Sequence, residues 1–259
     1  MSQDKASSFG TIAEDYDRWR PGPKPAVAAW LLPENAQRVV DLGAGTGALS
    51  RLLVGRVPDL VAVEPDARMR EVLARNVPDA TVLEGRGEQL PLPSASVDAV
   101  LVSSAWHWMD ADATVAEVAR VLRPGGVLGV AWAGVDWDGD WFTRLRKAVP
   151  QDRLEQGPGL LGLLMNRDAR RERHVFRLPD RAPFEAPEQT MLHWTETLSA
   201  NHLVRMFGTF SGVIVLPDDQ RRAVLDEARE VLRQYPGLEA DASVELPFRA
   251  ACWRAVRTP

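Results

Sequence analysis

One segment constrains the fold more than any other: a glycine-rich turn that follows a short apolar run. It reads Val39-Val40-Asp41-Leu42-Gly43-Ala44-Gly45-Thr46-Gly47. Glycine accepts positive φ angles and lets a ligand approach the main chain, so this spacing favours a ligand-binding turn over a tight loop without a ligand. A helical pattern follows at 50–54, and a helix there directs its unpaired N–H groups toward such a ligand.

Short apolar runs alternate with amphipathic stretches through the first half of the chain. They predict strands at 38–42, 60–63, 81–83, 97–102 and 127–132. The intervening stretches have helical spacing, as in the series Met69, Val72, Leu73 and Asn76. This alternation indicates a doubly wound α/β fold, with a parallel sheet covered on both faces. Right-handed crossovers place every strand-to-helix loop at one edge, where ligands of such sheets bind.

The pattern changes at both ends of the chain. The stretches 189–198 and 244–256 are strand-like, and a final hairpin of these two would give seven mostly parallel strands. Near the start, one face of a short helix is indicated by Phe9, Ile12, Tyr16 and Trp19. The basic run 167–173 contains acids and no aromatics, so it is typical of a solvated helix face and not of a nucleic-acid interface.

Composition excludes several classes of function. The 259 residues are 45% hydrophobic and 26% charged with a net charge of −5, which is typical of a globule with a core. One cysteine, Cys252, allows no internal disulfide and no cysteine-rich metal site, so we expect a cytoplasmic protein without a metal. The longest nearly apolar run, 125–135, is too short to cross a bilayer, and the start has no leader pattern. We expect neither a membrane nor a nucleic-acid partner, and the oligomeric state stays open.

Two carboxylates indicate the charge of the ligand. Asp41 stands at the end of the first strand, where it would repel a pyrophosphate but attract an ammonium or sulfonium group. Glu64 ends the second strand, where a carboxylate can accept both hydroxyls of a ribose. The spacing Gly43-x-Gly45-x-x-Ala48 also satisfies a loose dinucleotide motif, which leaves a nicotinamide cofactor as an alternative.

Five segments together resemble the class I S-adenosylmethionine-dependent methyltransferases. They are 41–47, 63–66 with Met69, 84–91, 96–100 and 122–126. The resemblance implies S-adenosylmethionine as cofactor and one domain over 1–259. That domain would have N-terminal lid helices at 1–35, a cofactor-binding core at 36–133, and a substrate-side insertion with closing strands at 134–259.

The resemblance also implies a set of cofactor-binding residues. By position in the motifs, these are Tyr16, Asp41, Gly43, Ala44, Gly45, Thr46, Gly47, Glu64, Pro65, Met69, Gly87, Glu88 and Ser103. Asp41 would orient the amino-acid end of the cofactor, and Glu64 would hold the ribose hydroxyls. The Gly87 backbone and the Glu88 side chain would meet the adenine edge.

The acceptor site is expected after the fourth and fifth strands. The segment Ala105-Trp106-His107-Trp108 resembles the His-Trp pair of a bacterial and fungal branch that methylates small molecules, including carboxylic acids. Candidate acceptor-binding residues are Trp106, His107, Trp108, Trp132 and Trp137. His107 is a candidate catalytic base, with a hydrogen-bonded pocket-wall residue as the alternative.

The function expected from the resemblance is methyl transfer to a small organic acceptor. An oxygen of a carboxylate or hydroxyl is the expected target, and secondary metabolism is the expected setting. The alternatives are a cofactor-binding scaffold or cyclase without methyl transfer, and a nicotinamide-dependent oxidoreductase.

Overall fold

A computed structural model describes residues 8–138, 143, 175–234 and 243–259. The basic helix predicted at 167–173 lies outside these ranges. None of the helices within them combines the length and the apolar character that a membrane span requires.

The strands form one seven-stranded sheet with the order β3-β2-β1-β4-β5-β7-β6. Their bounds are β1 Arg38–Leu42, β2 Asp59–Val63, β3 Thr81–Leu83, β4 Val97–Ser103, β5 Leu122–Val135, β6 Glu188–Ser199 and β7 Ser243–Val256. The five strands from β3 to β5 pair in parallel, whereas β7 runs antiparallel between β5 and β6. The predicted doubly wound sheet with a closing hairpin is confirmed.

Helices cover the sheet and extend beyond it. They are α1 Ala13–Trp19, α2 Pro25–Leu31, α3 Ser50–Leu53, α4 Ala67–Asn76, α5 Ala111–Val121, α6 Ala200–Gly208, α7 Ser211–Ile214 and α8 Asp218–Gln234. The single N-terminal helix expected from residue 9 to residue 19 is wrong in one respect. A 3-10 turn at Phe9–Ile12 precedes α1, because Ile12 leaves the helical region at φ −127° and ψ 27°.

Both faces of the central parallel strands β1, β2 and β4 are largely buried, and these strands accordingly have few polar residues. Val39 of β1 packs with α2 and α3 on one face, whereas the next residue, Val40, faces α5 on the other. Both valines are fully buried. Burying each side chain of this size stabilises the fold by roughly 1.5–3 kcal/mol.

The strand order reverses at β1, and this reversal positions the site. From β1 the chain moves outward to β2 and β3, then returns to β4 on the opposite side of β1. Ligands of open α/β sheets bind at such a reversal, beyond the carboxyl ends of the strands. The glycine turn follows β1 at this point, and the loop that begins with Ser104 follows β4.

A second apolar cluster lies beside the sheet and is formed by α6, α7 and α8, which we call the cap. Leu203 and Phe207 of α6 pack against Val231 of α8, and Phe248 of β7 joins them. The cap also contacts the N-terminal segment, because the His202 ring meets the Trp19 ring edge-on at 5.3 Å. The cap and α1 therefore stand together over the carboxyl edge of the sheet.

Candidate active site

A cavity of about 890 Å³ opens at the carboxyl edge of the strands. Its walls come from the glycine turn, the loops after β2, β3 and β4, the N-terminal segment around α1, the cap, and β7. Small-molecule sites occupy about 300–1,000 Å³, so this cavity has room for a cofactor and an acceptor together.

The three glycines of the turn have positive φ angles of 69°, 57° and 93° at Gly43, Gly45 and Gly47. A Cβ atom on Gly47 would lie 2.7 Å from Leu73 Cδ1, so this glycine allows the helix to pack on the turn and does not line the cavity. A Cβ atom on Gly45 would meet nothing within 4 Å. Gly45 is therefore the position where a ligand can approach the main chain most closely.

Asp41 is 1% exposed and lies beneath the turn. Ser50 Oγ donates a hydrogen bond to Asp41 Oδ2 at 2.6 Å, whereas Oδ1 is buried and has no hydrogen-bond partner within the described residues. Burial raises the pKa of Asp41 to about 7, although the Ser50 hydrogen bond opposes this effect. A buried carboxylate oxygen without a donor is the feature that a ligand ammonium would satisfy.

Glu64 connects the turn to the loop after β2. Its Oε2 accepts from the Gly45 N–H at 2.9 Å, and its Oε1 accepts from the Asp66 N–H at 3.0 Å. Burial raises the pKa of Glu64, and these two backbone donors oppose that effect. Each carboxylate oxygen keeps a lone pair after one hydrogen bond, so Glu64 can still accept hydroxyl donors.

The loops after β2 and β3 form the wall next to Glu64. Pro65, Met69, Gly87 and Glu88 all line the cavity. Glu88 Oε1 accepts from the Asp110 N–H at 2.8 Å, which ties this loop to the start of α5. A Cβ atom on Gly87 would lie 2.7 Å from Thr114 Oγ1, so only glycine fits there.

The N-terminal segment covers this half of the cavity with aromatic rings. Tyr16 meets Phe9 edge-on at 5.5 Å, and Phe9 meets Trp108 at 5.8 Å. Tyr16 lines the cavity as expected from its position. Phe9 and Asp66, the N-cap of α4, also line it and were not among the predicted residues.

The tryptophans predicted at the acceptor site divide into two groups. Trp108, Trp132 and Trp137 line the cavity. Trp106 is 4% exposed and does not line it, because its ring packs edge-on against Phe176 at 5.2 Å in the core. The 3-10 turn at Trp106–Trp108 places its two tryptophans in different surroundings, which a sequence pattern alone does not reveal.

His107 lines the cavity and is hydrogen-bonded to Trp132. The Trp132 Nε1–H donates to His107 Nδ1 at 3.1 Å. An indole nitrogen only donates, so Nδ1 is unprotonated and a neutral imidazole has its proton on Nε2. Proton uptake at Nδ1 would require this hydrogen bond to break, so the geometry favours the pocket-wall interpretation over a base.

The N-terminal segment, the cap and β7 contribute residues that sequence reasoning missed. Arg20, Phe210, Phe248, Arg249 and Trp253 line the cavity. Trp253 meets Trp132 edge-on at 5.3 Å, which joins β7 to the predicted aromatic wall. Arg20 precedes a proline in the N-terminal segment, and this Arg-Pro pair was the available sequence signal. The others reach the cavity through the antiparallel hairpin and the cap.

Taken together, the structure gathers nearly all of the predicted residues around one cavity. From the cofactor set these are Tyr16, Asp41, Gly43, Ala44, Gly45, Thr46, Glu64, Pro65, Met69, Gly87, Glu88 and Ser103. Gly47 and Trp106 are the two that do not line it. Within the described ranges, no cluster of histidine, cysteine or acidic side chains is arranged to hold a metal.

Comparison with known proteins identifies the family. Residues 40–130 match the methyltransferase domain family. An uncharacterized methyltransferase of Mycobacterium tuberculosis is 38% identical over 253 residues, covering 98% of this chain and 97% of that protein. A malonyl-[acyl-carrier protein] O-methyltransferase of Methylococcus capsulatus is 36% identical over 179 residues, covering 58% of this chain and 64% of that protein.

The fold has solved counterparts as well. A protein of Anaeromyxobacter dehalogenans assigned as a type II methyltransferase superposes with a TM-score of 0.69 at 24% identity, covering 93% of this chain and 99% of that chain. The similarity to the mycobacterial protein spans almost the entire sequence, so it carries family membership and not only a shared fold. The chain belongs to the class I S-adenosylmethionine-dependent methyltransferases.

Proposed function

We propose that this chain transfers the methyl group of S-adenosylmethionine to an oxygen of a small organic acceptor. The observation that carries the proposal is the buried Asp41 Oδ1, which has no hydrogen-bond donor within the described residues and lies at the glycine turn. Burying such an atom costs free energy unless a donor arrives. The ammonium of the cofactor's amino-acid end is a donor with the required charge.

The surrounding residues fit the rest of the cofactor. Glu64 has lone pairs left to accept the ribose hydroxyls, and Gly45 leaves space beside the main chain. Pro65 and Met69 would flank the adenine, and the Gly87 backbone and the Glu88 side chain would meet its edge. When bound, the cofactor supplies a methyl group already activated by its sulfonium, so alignment of the acceptor is the main task left to the protein.

A carboxylate oxygen as the acceptor atom is supported by the hydrogen bond that occupies His107. His107 Nδ1 is engaged by Trp132, and a carboxylate needs no deprotonation before it attacks a methyl group. The similar protein of Methylococcus capsulatus is named as an O-methyltransferase, which supports the same target atom. The aromatic wall of Trp108, Trp132 and Trp253 favours an acceptor with an apolar body.

The test uses S-adenosylmethionine with a labelled methyl group, the purified protein and a small-molecule extract. We expect a labelled product that gains one methyl group by mass spectrometry. Asp41→Asn and Glu64→Gln should abolish labelling, whereas Asp226→Asn should retain it, because Asp226 is exposed on α8 and pairs only with Arg229 within the described residues.

Two results would contradict the proposal. Bound cofactor without any labelled product would make the chain a cofactor-binding scaffold or a cyclase. Thermal stabilisation by NAD and not by S-adenosylhomocysteine would favour an oxidoreductase, since a bound ligand raises apparent stability by mass action.

A further inference from the structure

Arg20 lines the cavity between the glycine turn and the cap. It follows α1 in extended conformation, with φ −88° and ψ 111°, because the next residue is Pro21 and a residue before proline disfavours the helical region. Its half-buried side chain lines the cavity, with the guanidinium carbon 4.7 Å from the centroid of the Phe210 ring and 6.0 Å from that of Tyr16. A guanidinium over aromatic faces keeps its N–H donors available around its edge.

Arg20 differs from the other arginines around the cavity in the groups that surround its charge. Arg51 pairs with Asp17 at 2.9 Å, and Arg249 pairs with Asp136 at 3.2 Å and with Asp138 at 2.9 Å. Arg86 is exposed to solvent on the rim. Arg20 makes no ion pair with any carboxylate of the described residues, so it is a half-buried cation without a protein counter-ion there.

The neighbours of Arg20 place it at the junction of cofactor and acceptor. A Cβ atom on Gly22 would lie 3.1 Å from the Cβ of Ala48, so the segment after Arg20 packs directly behind the glycine turn. Phe210, on the other side, immediately precedes α7 of the cap. A ligand anion that reaches Arg20 therefore lies beside both the turn and the cap.

We propose that Arg20 is an anion-binding residue that holds a ligand carboxylate inside the cavity. The proposal rests on the proposed function, which supplies two such carboxylates. One belongs to the amino-acid end of the cofactor and is attached to the same carbon as the ammonium assigned to Asp41. The other belongs to a carboxylic-acid acceptor. The guanidinium fork suits both, because it binds a carboxylate through two parallel hydrogen bonds.

The first arm of the test measures binding of S-adenosylhomocysteine and of 5′-methylthioadenosine, which lacks the amino-acid end. If Arg20 binds the cofactor carboxylate, Arg20→Gln should lower the affinity for S-adenosylhomocysteine about 10- to 100-fold and leave the affinity for 5′-methylthioadenosine unchanged. Arg20→Lys should give an intermediate loss. Arg18→Gln is the matched control, because Arg18 lies over Trp19 at 4.7 Å and does not line the cavity.

The second arm measures binding of benzoate, phenylacetate and 3-phenylpropionate, with their primary amides, to the S-adenosylhomocysteine complex. If Arg20 binds the acceptor carboxylate, Arg20→Gln should lower the affinity for the acids about 10- to 100-fold. The affinities for the amides and for S-adenosylhomocysteine should stay unchanged.

Three outcomes separate the proposals. Equal weakening of S-adenosylhomocysteine and 5′-methylthioadenosine would assign Arg20 a structural role and overturn the inference. The inference also fails if neither arm detects an effect of Arg20→Gln. In that case the variant has the wild-type affinity for S-adenosylhomocysteine, and its S-adenosylhomocysteine complex binds every acid as tightly as the wild-type complex does. Failure of the wild-type protein to bind S-adenosylhomocysteine would instead contradict the proposed function.

Discussion

At Asp41, burial and hydrogen bonding leave one carboxylate oxygen engaged and the other without a donor within the described residues. Burial raises its pKa to about 7, so the ligand-free protein holds this carboxyl largely neutral at lower pH. A ligand ammonium favours the ionised form, so binding below that pH must release a proton. We expect the affinity for S-adenosylhomocysteine to be highest above about pH 7 and to fall by up to about tenfold per pH unit below it.

Calorimetric titrations across about pH 5.5 to 8.5 would check this dependence and, in buffers of different ionisation enthalpy, count the protons released. Asp41→Asn should bind weakly at every pH, with no decline below about pH 7. A wild-type affinity that stays constant across the same range would argue against an ammonium at Asp41.

His107 offers a second prediction at the level of single residues. Removing a true base lowers turnover by about 10²- to 10⁴-fold. Because Nδ1 accepts from Trp132, we expect His107→Asn, whose amide oxygen can accept the same hydrogen bond, to retain turnover within about tenfold. His107→Leu should lower the free energy of unfolding by about 1–3 kcal/mol, since the buried indole N–H loses this acceptor.

Steady-state kinetics with the acceptor found in the labelling assay, together with denaturant unfolding, separate the two interpretations. A loss of turnover near 10³-fold in His107→Asn, with unchanged stability, would restore the role of base to His107.

Among the structural elements, the glycine turn combines two separate tasks. Gly47→Ala places a methyl group against Leu73 in a residue with φ 93°, so we expect it to destabilise the fold by about 1–3 kcal/mol. Gly45→Ala meets no protein atom, so its cost should be near 1 kcal/mol, from its φ of 57° alone. The same methyl group would enter the space that a cofactor needs, so affinity should fall most in Gly45→Ala.

Thermal unfolding and S-adenosylhomocysteine titration of both variants test this division. The expected order is opposite in the two assays: Gly47→Ala is the less stable variant, and Gly45→Ala is the weaker binder. A common order in both assays would show that the two glycines share one task.

The sequence predicted the bounds of some strands more accurately than those of others. The bounds of β1 and β3 agree with the predicted 38–42 and 81–83, because short, largely apolar runs end there at Gly43 and Glu84. β5 begins at Leu122 and not at the predicted residue 127, because Leu122 already pairs with Val97 before Pro124. The irregular register near Val97 arises there, and apolar periodicity contains no information about it.

At the scale of the whole molecule, the sequence predicted the cavity residues that follow the parallel strands better than those that the cap, β7 and the residue after α1 contribute. Asp41 and Glu64 end neighbouring parallel strands, so topology alone brings them to one edge. Arg20 after α1 converges on the cavity with Phe210 of the cap and Trp253 of β7, which come from the other end of the sequence. Their meeting depends on three-dimensional packing of the hairpin and cap, and no local spacing encodes it.

That packing also links two distant segments over the cavity. Trp19 at the end of α1 meets the His202 ring of α6 at 5.3 Å, and the Arg205 guanidinium lies 6.0 Å from the Trp19 ring centroid. Since α1 and the cap both line the site, a ligand beneath them should stabilise both at once. We expect Trp19→Ala to lower the affinity for S-adenosylhomocysteine several-fold, because it removes the contact between the two segments.

Hydrogen exchange with and without S-adenosylhomocysteine measures this coupling directly. In the wild type, ligand binding should protect the amides of α1 and α6 together, whereas in Trp19→Ala the protection of α6 should fall and that of β1 and β4 should persist. Arg75→Gln is the matched control, because the Arg75 pair with Glu14 joins α1 to α4 through two exposed side chains and contributes little. Equal protection of α6 in the wild type and Trp19→Ala would show that the cap responds to the ligand without any contribution from α1.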